Sequence, residues 1–544
     1  MAAENKTLFI KEWWENGDDV TLITRPRRFG KTLNMSMVEQ FFSVNYAGRE
    51  DLFEGLAIWE EEKYRQMQGT YPVISLSFAM VKEPDFESTR IRINQLIANL
   101  YDKNRFLLDG GLLSEHEKEF YRSVNCHMKP VIATIAIHRM SDFMSRYYGK
   151  KVIILLDEYD TPMQEAYVHG FWEELVEFTR SMFNAAFKTN PYMARAIMTG
   201  ITRVSKESIF SDLNHLEVVT TTSKKYETAF GFTEQEVFEA LDEFDLAGQK
   251  EEVKYWYDGF VFGDCTDIYN PWSILNYLDK KKLSAYWSNT SSNSLVGKLL
   301  QEGNRKVKQN FERLLRGEVI QCPVEEQIVY NQLEQDESAV WSLLVASGYL
   351  KILGYEQMEF LEANQEPLYD LALTNHEVKR MFLIMVRRWF SRAAEDYNDF
   401  VTALLAGNLM EMNAYMNRVT NEVFSYFDTG RSSSDVQSER FYHGFVLGLL
   451  VELSGRYIIT SNRESGLGRY DVMLEPVNKA DVALILEFKV HHPEYESDLK
   501  ETVARALQQI EERQYEASLL ARGIPENNIR KYGFAFEGKK VLIG

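Results

Sequence analysis

Val20-Thr21-Leu22-Ile23-Thr24-Arg25-Pro26-Arg27-Arg28-Phe29-Gly30-Lys31-Thr32 joins a short apolar run to a tight, basic turn. From Lys31 to Phe42 the apolar spacing is helical, so the stretch reads strand, loop, helix. A loop in that setting can wrap phosphate. Gly30 lets backbone amides close around the oxygens, Lys31 brings a mobile positive charge, and the Thr32 hydroxyl is placed to ligate Mg²⁺. Arg28 joins them as a candidate on the phosphate side. The G-x-x-x-x-G-K-[ST] pattern wants glycine where Arg25 stands, and a lone Gly-Lys-Thr is weak by itself.

A second element strengthens the reading. Lys151-Val152-Ile153-Ile154-Leu155-Leu156-Asp157-Glu158 predicts a buried strand ending in two carboxylates. Beside a phosphate loop, Asp157 is placed to orient the Mg²⁺ shell and Glu158 to polarise an attacking water. The plainer alternative is that the two acids cap a following helix. A third run, Ala194 to Gly200, leads to Thr202 and Arg203, candidates to sense a terminal phosphate from the carboxyl edge of the sheet. Strand-like runs at 71–78, 152–156 and 194–199 alternate with helical ones at 91–102 and 171–187, which predicts a parallel α/β sheet with flanking helices.

Far downstream, Gly468-Arg469-Tyr470-Asp471 leads one strand and Glu487-Phe488-Lys489 ends another, strongly apolar from Val482 to Val490. Alternate side chains of a strand share a face, so Glu487 and Lys489 project together while Phe488 turns the other way. Asp471 and Glu487 can then hold a hard divalent cation, with Lys489 orienting water and offsetting charge on phosphorus. An edge-strand ion pair is the competing reading. It suits the central apolar run Ala483-Leu484-Ile485-Leu486 poorly, because charges there need a reason. The spacing predicts one long helix from Leu499 to Leu520, then a strand pair at 532–536 and 540–543.

Between the two, residues 231–430 read as mostly helical. A helix at 339–347, strands at 350–354 and 368–373 and a helix at 377–390 suit a winged-helix-like module, or a small packing unit that touches no nucleic acid. The expected division is 1–230, 231–430 and 431–544. The net charge of −20 argues against a general nucleic-acid binder, but the stretch from Glu439 onward is nearly neutral and leaves room for a local basic groove. Three scattered cysteines, no apolar run long enough to span a bilayer and no signal-like start predict a cytosolic chain without membrane attachment.

Residues from about Lys6 to Leu216 resemble a bacterial AAA-ATPase-like domain whose loop reads Arg-Pro-Arg-Arg-Phe-Gly-Lys-[Ser/Thr]. The likeness extends to Asp157-Glu158-Tyr159-Asp160 and Thr199-Gly200-Ile201-Thr202-Arg203. The resemblance implies ATP as ligand. It is compatible with a homo-oligomer, and in it the missing first glycine is usual. The segment from Glu439 resembles the PD-(D/E)xK nuclease domain, a restriction-endonuclease-like α/β fold. The likeness rests on Phe441-Tyr442-His443-Gly444-Phe445, Gly468-Arg469-Tyr470-Asp471, Glu487-Phe488-Lys489 and Ala506-Leu507-Gln508-Gln509-Ile510 with Tyr515. It implies Asp471 and Glu487 as ligands for Mg²⁺ or Mn²⁺, Lys489 as catalytic lysine, Glu439 as an added ligand, and DNA as substrate. Gln509 and Tyr515 lie further apart than the Gln-x-x-x-Tyr form. The expected function is an ATP-binding, ATP-hydrolysing protein whose nucleotide state gates metal-dependent DNA cleavage. The alternative is a regulatory or scaffold ATPase whose nuclease-like domain binds with little turnover.

Overall fold

The computed structural model describes residues 6–109, 111–188, 190–202, 210, 213, 215–287, 294–302, 305–325, 333, 337–356, 367–390, 397–423, 446, 450, 453, 456–461, 464–465, 468–537 and 540–544. The chain divides into two compact units, Met1–Met381 and Phe382–Gly544.

In the first unit, β1 (Val20–Thr24), β2 (Val73–Ser77), β3 (Val152–Asp157), β4 (Met193–Gly200) and β5 (Leu216–Val219) form one sheet in the order β2-β3-β4-β1-β5. All its pairings are parallel, with Ile23 opposite Thr199 and Ser77 opposite Asp157. β1 and β3 are buried at every residue, so both faces need covering. Helices α1 (Leu8–Asn16), α2 (Lys31–Phe42), α3 (Phe86–Lys103), α4 (Pro130–Tyr148), α5 (Thr161–His169) and α6 (Trp172–Phe187) supply the layers. Truncating a fully buried strand residue such as Leu155 to alanine should cost about 2–5 kcal/mol. The sequence pattern identified α2, α6 and most of α3 but not α1, α4 or α5, although α4 buries Ala133, Ala136, Ile137, Met140 and Met144 at helical spacing.

A second layer continues with β6 (Phe232–Thr233), α7 (Glu234–Glu243), α8 (Lys250–Tyr257), β7 (Phe260–Phe262), β8 (Cys265–Tyr269) and α9 (Pro271–Lys280). The side chain of Asn270 caps α9 by accepting the Trp272 amide at 2.9 Å. Beyond it lie α10 (Arg305–Arg316), β9 (Ile320–Pro323), α11 (Glu337–Ala346), β10 (Leu350–Tyr355), β11 (Leu368–Leu373) and α12 (His376–Phe390). The three strands pair antiparallel in the order β10-β11-β9; β10 and β11 are the two expected from the sequence, and β9 is an addition. Within α11, Ala339 to Val345 are all buried.

After the end of α12, the second unit contains α13 (Tyr397–Ala406) and α14 (Leu409–Val423), which the sequence pattern groups with the middle region. Their residues Phe400, Leu404, Met412 and Met416 share one core with Leu484, Leu486, Phe488 and Phe534 of the C-terminal sheet. That sheet comprises β12 (Tyr457–Ser461), β15 (Val472–Pro476), β16 (Ala483–Val490), β17 (Ile529–Glu537) and β18 (Lys540–Ile543) in the order β12-β15-β16-β17-β18. A two-residue hairpin, β13 (Glu464–Ser465) with β14 (Gly468–Arg469), precedes β15. β16 is central, antiparallel to β15 and parallel to β17. The edge strand β18 is closed by α14. Asn413 exchanges two hydrogen bonds with the Ile543 backbone, both at 2.8 Å, and Asn417 does the same with Val541 at 2.7 and 3.0 Å. Side-chain amides thus complete a ladder that would otherwise invite another chain.

The long helix expected from Leu499 to Leu520 is broken. α15 (Leu499–Glu512) ends in a turn over 513–516, with Gln514 at φ 52°, before the short α16 (Ala517–Ala521). The residues of the break are ordinary helix formers, so their propensities do not announce it.

Candidate functional site

The phosphate loop follows β1 and is held in shape by its own unusual backbone. Gly30 has φ 81°, and an added Cβ there would meet nothing within 4 Å, so conformation rather than space requires glycine. Arg28 also has positive φ, 65°, and its guanidinium lies 4.6 Å over the Trp272 ring. With Phe29 between them at negative φ, Arg28 and Gly30 give the alternation of backbone hand from which anion nests are built.

Arg25, standing where the glycine pattern fails, is fully buried and does not enter the cradle. Its guanidinium donates to the carbonyls of Thr24 and Thr220 at 2.9 and 2.6 Å and stacks on Phe262 at 4.7 Å. Burial pushes it down to about 9, still charged at neutral pH. The substitution therefore ties the loop to the strand layer behind it. Phe29 extends the same anchor, with its ring 4.7 and 5.2 Å from Phe260 and Phe262.

Lys31 donates to the carbonyls of Arg25 and Pro26, both at 2.9 Å. Burial pulls its ammonium below the usual lysine range, against the opposing pull of Glu158, Asp160 and Asp157. The Thr32 hydroxyl donates to Asp157 at 2.7 Å, and the Thr199 hydroxyl donates to the other oxygen of the same carboxylate. A threonine hydroxyl and an aspartate in contact form a hard oxygen set that fits Mg²⁺. Glu158 has φ 51° and its amide donates to the Thr199 hydroxyl at 3.3 Å, so a strained residue presents its carboxylate just past the strand. Thr202 does not face outward: its amide and hydroxyl both donate to Asp160 at 2.9 Å. Asp160 is thus a clamp on the end of β4, a role its place in Asp157-Glu158-Tyr159-Asp160 did not reveal. Arg203 lies outside the described residues.

In the second unit, Glu487 and Lys489 project from one face of β16 with Nζ 3.6 Å from Oε1, and Glu487 is 2% exposed. Phe488 faces the opposite core against Phe534 and Phe536, as alternation predicts. Asp471 accepts the Phe488 amide at 2.8 Å, which fixes its carboxylate beside Glu487. Gln509 of α15 donates to Glu487 and to the Tyr515 hydroxyl, the latter at 3.0 Å. The break after Glu512 folds Tyr515 back to meet Gln509, so the longer spacing still brings the two side chains together. Burial pushes the Tyr515 phenol up, and the charges of Glu487 and Asp471 add to that. The two carboxylates offer oxygen donors that fit Mg²⁺ or Mn²⁺ rather than a thiolate-seeking metal. Glu439 lies outside the described residues.

One further acidic group went unforeseen because its members are spread along the chain. Carboxylate oxygens of Glu234, Asp258 and Asp267 come within 4.8 Å of one another. Lys254 already bridges Glu234 and Asp267. Burial and the neighbouring Asp267 push Asp258 up to about 7.

A parallel sheet with a phosphate loop in one unit, and an Asp…Glu-x-Lys set built around the buried Glu487 on a mixed sheet in the other, define a nucleotide-binding domain joined to a nuclease-type domain. Comparison with known proteins gives both parts. Residues 5–210 match the family described as predicted AAA-ATPase, and residues 437–544 match the PD-(D/E)XK nuclease superfamily. The chain therefore joins an AAA-ATPase-like domain to a PD-(D/E)XK nuclease-superfamily domain. It is 25% identical over 381 residues to an uncharacterized protein in the vnfD 5' region of Azotobacter chroococcum mcd 1. That match takes in 69% of this chain and 64% of the relative, less than two thirds of the relative's length. Among solved structures, the Walker-type ATPase paby2304 of Pyrococcus abyssi is 13% identical, with a TM-score of 0.33 over 70% of this chain and 94% of that one. The ORC2 protein of Aeropyrum pernix is 10% identical, with a TM-score of 0.25 over 71% and 93%. Likenesses this distant add nothing to the site. No helix among the described residues is long and apolar enough to cross a membrane.

Proposed function

We propose that the protein is a metal-dependent DNA nuclease whose cleavage is governed by the nucleotide state of its ATPase-like domain. The observation that carries the nuclease reading is the grouping around the central strand β16. A nearly inaccessible Glu487 meets Lys489 and Gln509, and Asp471 is locked onto the next amide. Burying a carboxylate is costly unless it serves an ion or a partner set, and this set matches phosphodiester hydrolysis. Asp471 and Glu487 would hold the cation, which when bound acidifies a water and polarises the phosphate. Lys489 holds positive charge toward the attacking water and the phosphate oxygens, Gln509 keeps Glu487 in one rotamer, and Tyr515 keeps Gln509 in place.

In the ATPase-like domain, Gly30 and the neighbouring amides wrap the phosphates. Lys31 exchanges its two carbonyl partners for phosphate oxygens, and Thr32 and Asp157 would hold Mg²⁺. Glu158 orients the attacking water. Gating is supported by a chain of hydrogen bonds behind the loop. The Arg27 carbonyl accepts from Trp287 Nε1 at 3.0 Å and from Asn270 at 3.2 Å. The Trp287 amide donates at 2.6 Å to Glu377, buried in the first turn of α12. That helix carries the chain past Met381. A loop that reshapes around nucleotide would pull on α12 through Trp287 and Glu377, and such coupling requires two arrangements with different contacts.

The test is cleavage of plasmid, linear and single-stranded DNA in Mg²⁺ or Mn²⁺, with and without ATP, by the parent, Asp471→Ala, Lys31→Ala and Trp287→Phe proteins. Cleavage should vanish in Asp471→Ala. ATP dependence should vanish in Lys31→Ala and weaken in Trp287→Phe, which still binds ATP. Cleavage surviving in Asp471→Ala defeats the nuclease reading. Cleavage indifferent to ATP in the parent leaves a nuclease without gating, and none under any condition favours the scaffold ATPase.

A further inference from the structure

The geometry points to Arg505 as a DNA-backbone contact: a guanidinium, held outward by the enclosed Glu496, that takes a phosphate next to the one being cleaved. The inference rests on the nuclease reading of the same site. Strand β16 sends Glu487 and Lys489 to one face, and His491 follows two residues on, just past the strand's end, with its amide donating to the Phe536 carbonyl at 2.8 Å. Helix α15 covers that face, with Gln509 on Glu487 and the Thr502 hydroxyl 3.0 Å from His491 Nδ1. Between Thr502 and Gln509 the helix carries Arg505, one turn before Gln509. Between Glu487 and His491 the chain carries Lys489. Both cations reach water, Lys489 of the strand with its side chain 23% exposed and Arg505 of the covering helix with 49%.

Glu496 is what makes Arg505 more than a surface charge. Its side chain is fully buried and accepts the Thr502 hydroxyl at 2.6 Å and the His492 amide at 2.9 Å. Its other oxygen takes the Arg505 Nη1. Burial opposes its charge, but the Thr502, His492 and Arg505 donors hold it below the usual carboxylate range. One end of the guanidinium is thus fixed, while half of the side chain stays in water with donors to spare. A guanidinium fixed in advance loses little freedom on meeting a phosphate, and its planar fork suits one.

The experiment measures binding of a short fluorescent DNA duplex to the full chain in Ca²⁺, across a salt series, for the parent, Arg505→Ala and the double variant Arg505→Ala/Glu496→Gln. The double variant leaves no uncompensated buried carboxylate, so it reports on DNA even if the single variant folds poorly. Loss of one phosphate contact should weaken binding about tenfold at moderate salt and reduce the slope of log affinity against log salt by about 0.9. Affinity and slope equal to the parent's, with only thermal stability lowered, would mean that Arg505 merely neutralises Glu496, and would overturn the inference while the nuclease stands. A parent that neither binds nor cleaves DNA would bring down the nuclease reading and this inference together.

Discussion

Asp471→Ala separates the two duties of one carboxylate. Besides its proposed place in the metal site, Asp471 accepts the Phe488 amide at 2.8 Å, where the antiparallel ladder of β15 on β16 has ended at Val472 and Leu486. Phe488 is fully buried, so removing this acceptor should cost about 1–3 kcal/mol. Against that, loss of a carboxylate near Glu487 relieves repulsion in the metal-free site, but Lys489 at 3.6 Å already offsets part of that charge. The hydrogen bond should win. A unit the size of Phe382–Gly544 shifts by about 2–4 °C per kcal/mol, so its unfolding midpoint in EDTA should fall by about 2–12 °C. Asp471→Asn keeps an acceptor oxygen and should sit close to the parent, yet it should lose the cation because the charge is gone. Thermal unfolding followed by circular dichroism in EDTA, with Mn²⁺ titration calorimetry beside it, reads both effects. An alanine variant as stable as the parent, or more so, would refute the reasoning: repulsion between the carboxylates would then outweigh the bond to Phe488.

Lys31→Ala should abolish ATP binding, whereas Glu158→Gln should bind ATP and lose hydrolysis; calorimetry and phosphate release distinguish them. Gln509→Ala frees Glu487 and Tyr515 of their shared partner, and Mn²⁺ affinity measured by calorimetry should drop about 10–100-fold with the fold intact. Asp258, raised to about 7 by burial and Asp267, binds its proton more tightly folded than unfolded. Its contribution is therefore fully present below the unfolded value near 3.8 and lost as pH rises through about 7. Asp258→Asn should accordingly raise the unfolding temperature at pH 8 relative to the parent more than at pH 5; equal shifts at both would refute it.

Features written within one element and its neighbour are legible in the residues alone. The strand–loop–helix around Gly30-Lys31-Thr32, the apolar strand ending at Asp157 and the alternation that sets Glu487 and Lys489 apart from Phe488 all follow from periodicities of a few residues. Tertiary structure alone decided how distant pieces meet. Helices α13 and α14 carry amphipathic patterns that would suit either neighbour, and only the shared core with Leu484 and Phe488 assigns them to the C-terminal unit. Arg25 reads as a flaw in the phosphate loop until the Thr220 carbonyl and Phe262 are seen to receive it. The turn after Glu512 is hidden in residues that also form helices, and only the structure shows Tyr515 of the turn packed against Tyr470 of a distant segment. Without that turn Gln509 and Tyr515 look mis-spaced; with it they meet. A helical or strand period encodes which face a side chain takes, but not which partner, hundreds of residues away in some cases, waits on that face.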